Sequence, residues 1–196
     1  MAVLSIQSQV VRGHVGNSVS VFALERMGHV VWQMPTVLYS NHPGHGSHFA
    51  HVVDAGEFQN LLDGVAEHDG WLSKVEAVHS GFVGDDAQID AIVSIVEAVK
   101  EANPRAIYIC DPVVGDHGRT YVDDNIREGL MEDLIPQADI VIPNVFELQS
   151  LLEQPDPIGS LAKRRHRMHH ALGFAGGAGG KHNGREPVLV GVFGQR

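Results

Sequence analysis

Apolar residues in this chain fall in short blocks that alternate between continuous runs, as in buried strands, and the three-to-four spacing of helices. Ala2-Val-Leu-Ser-Ile6 is such a run, stops at polar Gln7 and Ser8, and predicts a first strand that ends there. Asn17 offers a side-chain cap to a helix carrying Val21, Phe22, Leu24 and Met27, and Gly28 suits the left-handed residue that closes it. His29-Val-Val-Trp-Gln-Met34 reads as the next strand. Phe58, Leu61, Leu62 and Val65 then recur at helical spacing, and Ala77-Val-His-Ser80 is strand-like. Ile89, Ile92, Val93, Val96 and Val99 mark a longer helix that Pro104 terminates. Two more apolar runs, 106–110 and 139–142, are separated by a predicted helix from about Asp123 to Leu134, and another helix begins near Val145.

Strands and helices that alternate in this way favour a mostly parallel sheet covered on both faces, because each right-handed crossover returns over the sheet before the next strand begins. The fold class is α/β, and ligands of such sheets gather beyond the carboxyl ends of the strands. Four polar clusters stand at predicted strand ends: Gln7-Ser8 with Gly13-His-Val-Gly-Asn17, Ser40-Asn-His-Pro-Gly-His-Gly46, Asp111-Pro-Val-Val-Gly-Asp116, and Pro143-Asn-Val-Phe-Glu147.

Composition narrows the classes of partner. With 196 residues and 43% hydrophobic content the chain suffices for one α/β domain. A formal net charge of −10 offers no diffuse basic surface for nucleic acid or an anionic membrane, so a small molecule is the expected ligand. No apolar run is long enough to span a bilayer and the first residues lack a basic signal-peptide region, so a cytoplasmic protein is expected. The lone Cys110, inside an apolar run, reads as a core thiol. Charge is unevenly spread: residues 1–154 hold 7 of the 14 Lys and Arg and 22 of the 24 Asp and Glu, a net of −15, which leaves +5 for residues 155–196. That tail also holds 9 of the 22 glycines, and a change of character is expected near Pro155.

Asp111 and Asp116 flank a Pro and a Gly, so a sharply turned loop can bring two carboxylates to one cation; Mg²⁺ with a polyphosphate fits, while an ordinary turn starter is the plain alternative. Asn144 and Glu147, three apart at a helix start, can face the same crevice or can simply cap the helix. Gly13, Gly16 and Asn17 match neither GxxxxGK[ST] nor GxGxxG, and their small size instead suggests that a flat ring approaches the backbone. His42, His45, His48 and His51 recur every third residue, but Pro43, Gly44 and Gly46 break a helix there, so a surface loop with hydrogen-bonding histidines is favoured over a zinc site, with His42 nearest a substrate.

Taken together, Ser5-Ile-Gln-Ser-Gln-Val-Val-Arg-Gly-His-Val-Gly-Asn17, Ser40-Asn-His-Pro-Gly44, Ser80-Gly-Phe-Val-Gly84, Asp111-Pro-Val-Val-Gly-Asp116 and Ile142-Pro-Asn-Val-Phe-Glu147 resemble the pyridoxal kinases of the ribokinase-like superfamily, over about residues 1–154. The resemblance implies a three-layer ribokinase-like sandwich and ATP-dependent phosphorylation of the 5′-hydroxymethyl of pyridoxal and related B6 vitamers, with Mg²⁺, in a homodimer. By position in the motifs it implies that Ser8, His42, Pro43, Gly44 and Tyr121 face the vitamer, with Pro43 standing where the family often has Thr. It places Asp111, Ile142, Asn144 and Glu147 at the nucleotide, and Asp116 and Glu147 at the metal.

The same resemblance implies a later Gly-x-Gly-Asp segment whose aspartate is the general base and whose N–H groups stabilise phosphoryl charge. No Gly-x-Gly-Asp occurs in these 196 residues. The expectation is therefore a family domain truncated near residue 154, a basic, Gly-rich, disordered tail produced by a shifted reading frame, no strands for adenine beyond that point, and a chain without turnover. A non-catalytic pyridoxal-binding or interaction fragment is the alternative, and an unstable fragment with an unpaired sheet edge is the third.

Overall fold

A computed structural model describes residues 2–152 and 188–189. Strand β1, Ala2–Arg12, lies between β2, Val30–Asn41, and β4, Val75–Ser80, parallel to both. The sheet continues in parallel through β5, Ile107–Cys110, and β8, Ile140–Val141, to β9, Val188–Leu189; on the other side β3, Ala50–Val52, pairs antiparallel with β2. A separate hairpin joins β6, Gly115–Asp116, to β7, Arg119–Thr120. The expected mostly parallel α/β sheet is therefore present, in the order β3-β2-β1-β4-β5-β8-β9.

That order reverses between β1 and β4: the chain steps from β1 to β2 in one direction and from β4 to β5, β8 and β9 in the other. Crevices form at such a switch point because neighbouring loops leave toward opposite faces. Helix α1, Asn17–Arg26, packs on β1 and β2. Helices α2, Ala55–Ala66, and α3, Ala87–Ala102, pack together over the other face, where Leu4, Ile6, Phe58, Leu62, Val78, Ile92, Val96, Val99 and Tyr108 form one buried core. Asp54 caps α2 by accepting the N–H groups of Gly56 and Glu57. Cys110 is fully buried and its thiol is pushed up to about 12 by burial, as befits a core thiol.

Several local expectations need correction. Strand β1 does not stop at Ile6; it runs on to Arg12, pairing with β2 as far as Asn41, because Gln7 and Ser8 are buried and hydrogen-bonded or packed rather than solvated. Strand β2 likewise passes Met34 to Asn41. Asn17 is not a cap: the N-cap is Gly16, and the Asn17 side chain turns into the protein to accept from Ser5 Oγ at 2.8 Å and donate to the Gln7 carbonyl at 3.1 Å. Gly28 does adopt φ 89° just after the helix, but Phe22 and Met27 are 67% and 71% exposed, not core. The helix expected from about Asp123 to Leu134 is α4, Asp124–Gly129, continued by a π-turn over Leu130–Leu134 and a 3₁₀ turn over Ile135–Gln137. Helix α5, Val145–Leu152, starts where expected.

Strand β9, which sequence reading did not single out, extends the parallel sheet beside β8, in register Ile140 to Val188. The short apolar run there was hidden by its Gly-rich, basic surroundings. The other expectations about the tail lie outside the described residues.

Candidate active site

Where β1 leaves the sheet centre, its register with β2 shifts between Gln7 and Gln9, so Ser8 stands at an irregularity in the strand. Gly16, at φ 53°, packs so closely on Ser8 that an added Cβ would collide with the Ser8 carbonyl oxygen and stand 2.8 Å from its Oγ. The close β1–α1 contact by itself requires glycine there. Ser18 Oγ donates to the Val10 carbonyl at 2.9 Å and accepts the Val10 N–H at 3.1 Å, which pins the extension of β1 to α1.

Beneath Ser8 lies a polar network that sequence reading missed. Gln7 Nε2 lies 3.0 Å from Ser5 Oγ, 3.2 Å from Ser20 Oγ and 3.1 Å from His79 Nδ1, joining β1, α1 and β4. Burial lowers the His79 pKa to about 4, so the ring is neutral, and its buried Nε2 has no partner among the described residues. The available signal was the period-two recurrence of Ser5 and Gln7 inside an apolar strand. Gln88 was missed as well: fully buried, it donates to the carbonyls of Thr36 and Val53 at 3.0 and 2.7 Å and accepts the Gly84 N–H, fixing the loop after β4. It falls on the same helical stripe as Ile92, Val96 and Val99, which was its signal.

The loop after β2 is exposed and internally bonded. Pro43–His45 form a single 3₁₀ turn, and His42 Nδ1 accepts the Gly44 N–H at 3.0 Å, so the neutral ring keeps its proton on Nε2. A Cβ on Gly44 would stand 2.8 Å from that nitrogen, so the glycine allows the ring to fold over its own turn. His42 and His45 rings meet edge to face, while His48 packs against Tyr39. Among the described residues no three His, Cys, Asp or Glu side chains converge as a metal cage, there or elsewhere.

Asp111 follows β5 directly, tied to the sheet by its N–H to the Ser80 carbonyl at 2.9 Å. Its carboxyl makes no hydrogen bond or ion pair among the described residues, and burial raises its pKa to about 6. Asp116 lies farther along, in the β6–β7 hairpin, whose turn uses His117 at φ 49° and Gly118 at φ 76°. Its carboxylate accepts the His117 N–H at 2.7 Å and stands 3.4 Å from that ring. Tyr121 is 53% exposed and anchored by its N–H to the Val114 carbonyl at 2.8 Å.

Ile142 continues from β8, its N–H bonded to the Cys110 carbonyl at 3.0 Å. Next comes a reciprocal cap: Asn144 Oδ1 accepts the Glu147 N–H at 2.8 Å and Glu147 Oε2 accepts the Asn144 N–H at 2.7 Å. Asn144 Nδ2 also donates to the Gly115 carbonyl at 2.9 Å. Glu147 is only 3% exposed; burial first, and then the Asp111 charge, push its pKa up to about 7 against N–H bonds from Asn144, Val114 and Gly115. Asp111, Asn144 and Glu147 thus converge at the carboxyl ends of β5 and β8, whereas the Asp116 carboxylate is turned to His117.

A family model described as phosphomethylpyrimidine kinase matches residues 24–178. The chain belongs to this kinase family. Among relatives of this family member, the pyridoxal kinase PdxY of Corynebacterium diphtheriae is 44% identical over 156 residues, 79% of this chain and 55% of that protein. The pyridoxal kinase PdxY of Deinococcus radiodurans is 41% identical over 176 residues, 89% of this chain and 59% of the relative. The solved pyridoxal kinase from Leishmania donovani in complex with ADP and pyridoxamine superposes with a TM-score of 0.80 at 31% identity, over 87% of this chain and 59% of its own. The chain therefore spans little more than half the length of the relatives it matches, and both the family match and the second relative reach past residue 154. Among the described residues no helix is long and apolar enough to cross a membrane.

Proposed function

We propose that this chain carries the vitamer- and nucleotide-facing crevice for ATP-dependent phosphorylation of the 5′-hydroxymethyl of pyridoxal. The observation that supports it most is the pair of acids Asp111 and Glu147 where the neighbouring parallel strands β5 and β8 end, in a relative of pyridoxal kinases. In that reaction the hydroxymethyl oxygen attacks the γ-phosphorus, the bond to the β–γ bridging oxygen breaks, ADP leaves, and the hydroxyl proton passes to a base. Ser8, His42, Pro43, Gly44 and Tyr121 belong to the vitamer side in this reading. Ser8 and His42 offer a hydroxyl and an N–H that can bond a pyridine's polar edge. Asp111 and Ile142 belong to the nucleotide side and Asp116 to the metal side, with Asn144 and Glu147 next to them. A half-buried carboxylate without a protein donor suits Mg²⁺, which takes few protein ligands beside phosphate and water and, when bound, neutralises phosphate charge.

The family's Gly-x-Gly-Asp base is absent from the sequence, so we propose binding without turnover for these 196 residues. The supply of ATP favours a cytoplasmic setting. A homodimer belongs to the same reading, and exposed Val19 and Phe22 on α1, with Met27 just after it, offer apolar side chains that a second copy can cover. Residues 1–154 remain our proposed kinase part and 155–196 an atypical tail. Titrating the purified chain with pyridoxal and with MgATP, beside a coupled assay for pyridoxal phosphate, tests the reading. Saturable binding of both, with product at the buffer rate, is expected; absence of binding rejects the crevice, and robust turnover rejects the inactivity.

A further inference from the structure

Strand β2 carries one residue more than β1 at the level of Ser8. Pairing passes from Gln7 with Pro35 directly to Gln9 with Leu38, so Thr36 and Val37 together stand opposite Ser8. Beyond this bulge the two strands continue as an arm, Val10 beside Tyr39 and Arg12 beside Asn41, that leads into the His42 turn. The bulge is held from α3. Gln88, fully buried on that helix, donates from Nε2 to the Thr36 carbonyl at 3.0 Å and to the Val53 carbonyl, just past β3, at 2.7 Å. Its Oε1 accepts the Gly84 N–H at 3.2 Å. Thr36 is fully buried as well, and its Oγ1 donates to the Phe82 carbonyl at 2.6 Å. A Cβ on Gly84 would collide with Val37 and stand 3.1 Å from Val52 Cγ1, so the loop after β4 is pressed onto the bulge and onto β3.

We propose that Gln88 and Thr36 are positioning residues for the vitamer side: they fix the β2 bulge opposite Ser8, and with it the direction in which the arm carries the His42 loop relative to Ser8. The inference rests on the proposed vitamer site and deepens it, by naming two interior residues outside that site that set its geometry. A bulge leaves ladder groups unpaired and bends its strand, so a strand with an extra residue keeps one course only where those groups meet fixed partners. Here the partners of Thr36 lie 52 and 46 residues further along the chain, at Gln88 and Phe82. Without them the arm is free to slip by one residue, which turns its side chains to the opposite face.

The test uses the full 196-residue chain with Gln88→Met, Thr36→Val and Thr36→Ser. Val99→Ala, in the core roughly three turns further along α3, controls for lost stability alone. Pyridoxal affinity is measured by calorimetry, and amide hydrogen exchange is followed across Leu38–Asn41. Gln88→Met keeps the length of the side chain and removes its polar atoms. It should weaken pyridoxal about tenfold and speed exchange on the arm about tenfold or more, while β4 and β5 keep their protection. Thr36→Val keeps the shape and removes the hydroxyl, and should weaken pyridoxal about threefold; Thr36→Ser should return both readings to within about twofold of the parent. Val99→Ala should leave pyridoxal affinity within about twofold of the parent although it lowers stability. Pyridoxal binding unchanged in Gln88→Met, or lowered as much in Val99→Ala, overturns the proposal. If the parent chain binds no pyridoxal, the vitamer reading fails, and the bulge is judged by exchange: unchanged exchange on the arm in Gln88→Met overturns its role there too. Should Gln88→Met not fold, Thr36→Val decides the same point, and equal readings for it and Thr36→Ser count against the proposal.

Discussion

The corner where β1 meets α1 and the corner where β5 and β8 end both bury polar side chains, yet they satisfy them by different means. At the first, Ser5, Gln7, Asn17, Ser18 and Ser20 bond one another, the backbone and a neutral His79, with no charged group in the network. At the second, Asp111 and Glu147 are carboxyls whose pKa values burial has raised, one without donors and the other held by backbone. A neutral network is complete as folded and serves as a fixed wall; a pair of buried acids is left dependent on protons or a cation. The corner at β1 and α1 is accordingly preformed, whereas the corner at β5 and β8 depends on what neutralises its acids.

The comparison breaks most sharply if Gln7 is removed. Gln7→Ala withdraws one donor from three elements and opens a cavity in the wall, and should cost about 3 kcal/mol of unfolding free energy in urea titration. Added Mg²⁺ should not restore it. A cost below about 1 kcal/mol would mean that the network is not what holds α1 to β1 and β4.

The two corners should also respond to pH with opposite sign. Asp111 and Glu147 have folded pKa values of about 6 and about 7, above their ordinary ones. The folded state therefore holds more protons than the unfolded one between about pH 4 and 7, and stability from these groups is full below that window and lost as pH rises through it, by roughly 3 kcal/mol each. His79, lowered to about 4, does the reverse: the unfolded chain binds the proton first, so stability rises from about pH 4 to 6.5 by a similar amount. Denaturation across this range should show the falling limb vanish in Asp111→Asn with Glu147→Gln, and the rising limb vanish in His79→Leu. Saturating Mg²⁺ nucleotide should flatten only the falling limb.

Ser20→Ala removes one of three acceptors near Gln7 Nε2 and should cost about 1 kcal/mol by the same denaturation measurement. At the bottom of the scale, Asp124 is 95% exposed in its pair with Arg127, so Asp124→Ala should stay within about 0.5 kcal/mol and calibrate the others.

Asp111, Asn144 and Glu147 could be placed at one end of the sheet from sequence because Asp111 directly follows an apolar run and Asn144 and Glu147 open the helix just after another, and a parallel sheet gathers such positions at one rim. The choice between metal ligand and helix cap was not visible, since it turns on Gly115 and Val114, about thirty residues upstream of Asn144 and Glu147 in the chain. Asn17 misled for a related reason: its type suits a cap, but the cavity beside Ser5 and Gln7 offered better partners. The exposed Phe22 and Met27 show the same limit, because helical spacing records an apolar stripe without saying whether this chain covers it.

Sequence by itself determined the alternation of strands and helices, the core stripes of α2 and α3, the buried thiol of Cys110, and the loops that bear the crevice. These are local consequences of apolar periodicity and turn chemistry, and few long-range alternatives compete with them. Tertiary structure alone decided that β1 and β2 run several residues past their apolar runs, that β9 joins the sheet, and that Gln7 and Gln88 are interior. It also decided that the Glu147 carboxylate accepts the Asn144 N–H while the Asp111 carboxyl meets no donor among the described residues. Each of those outcomes depends on which distant N–H or C=O group a polar side chain meets once the sheet has closed, and no spacing along the chain encodes that meeting.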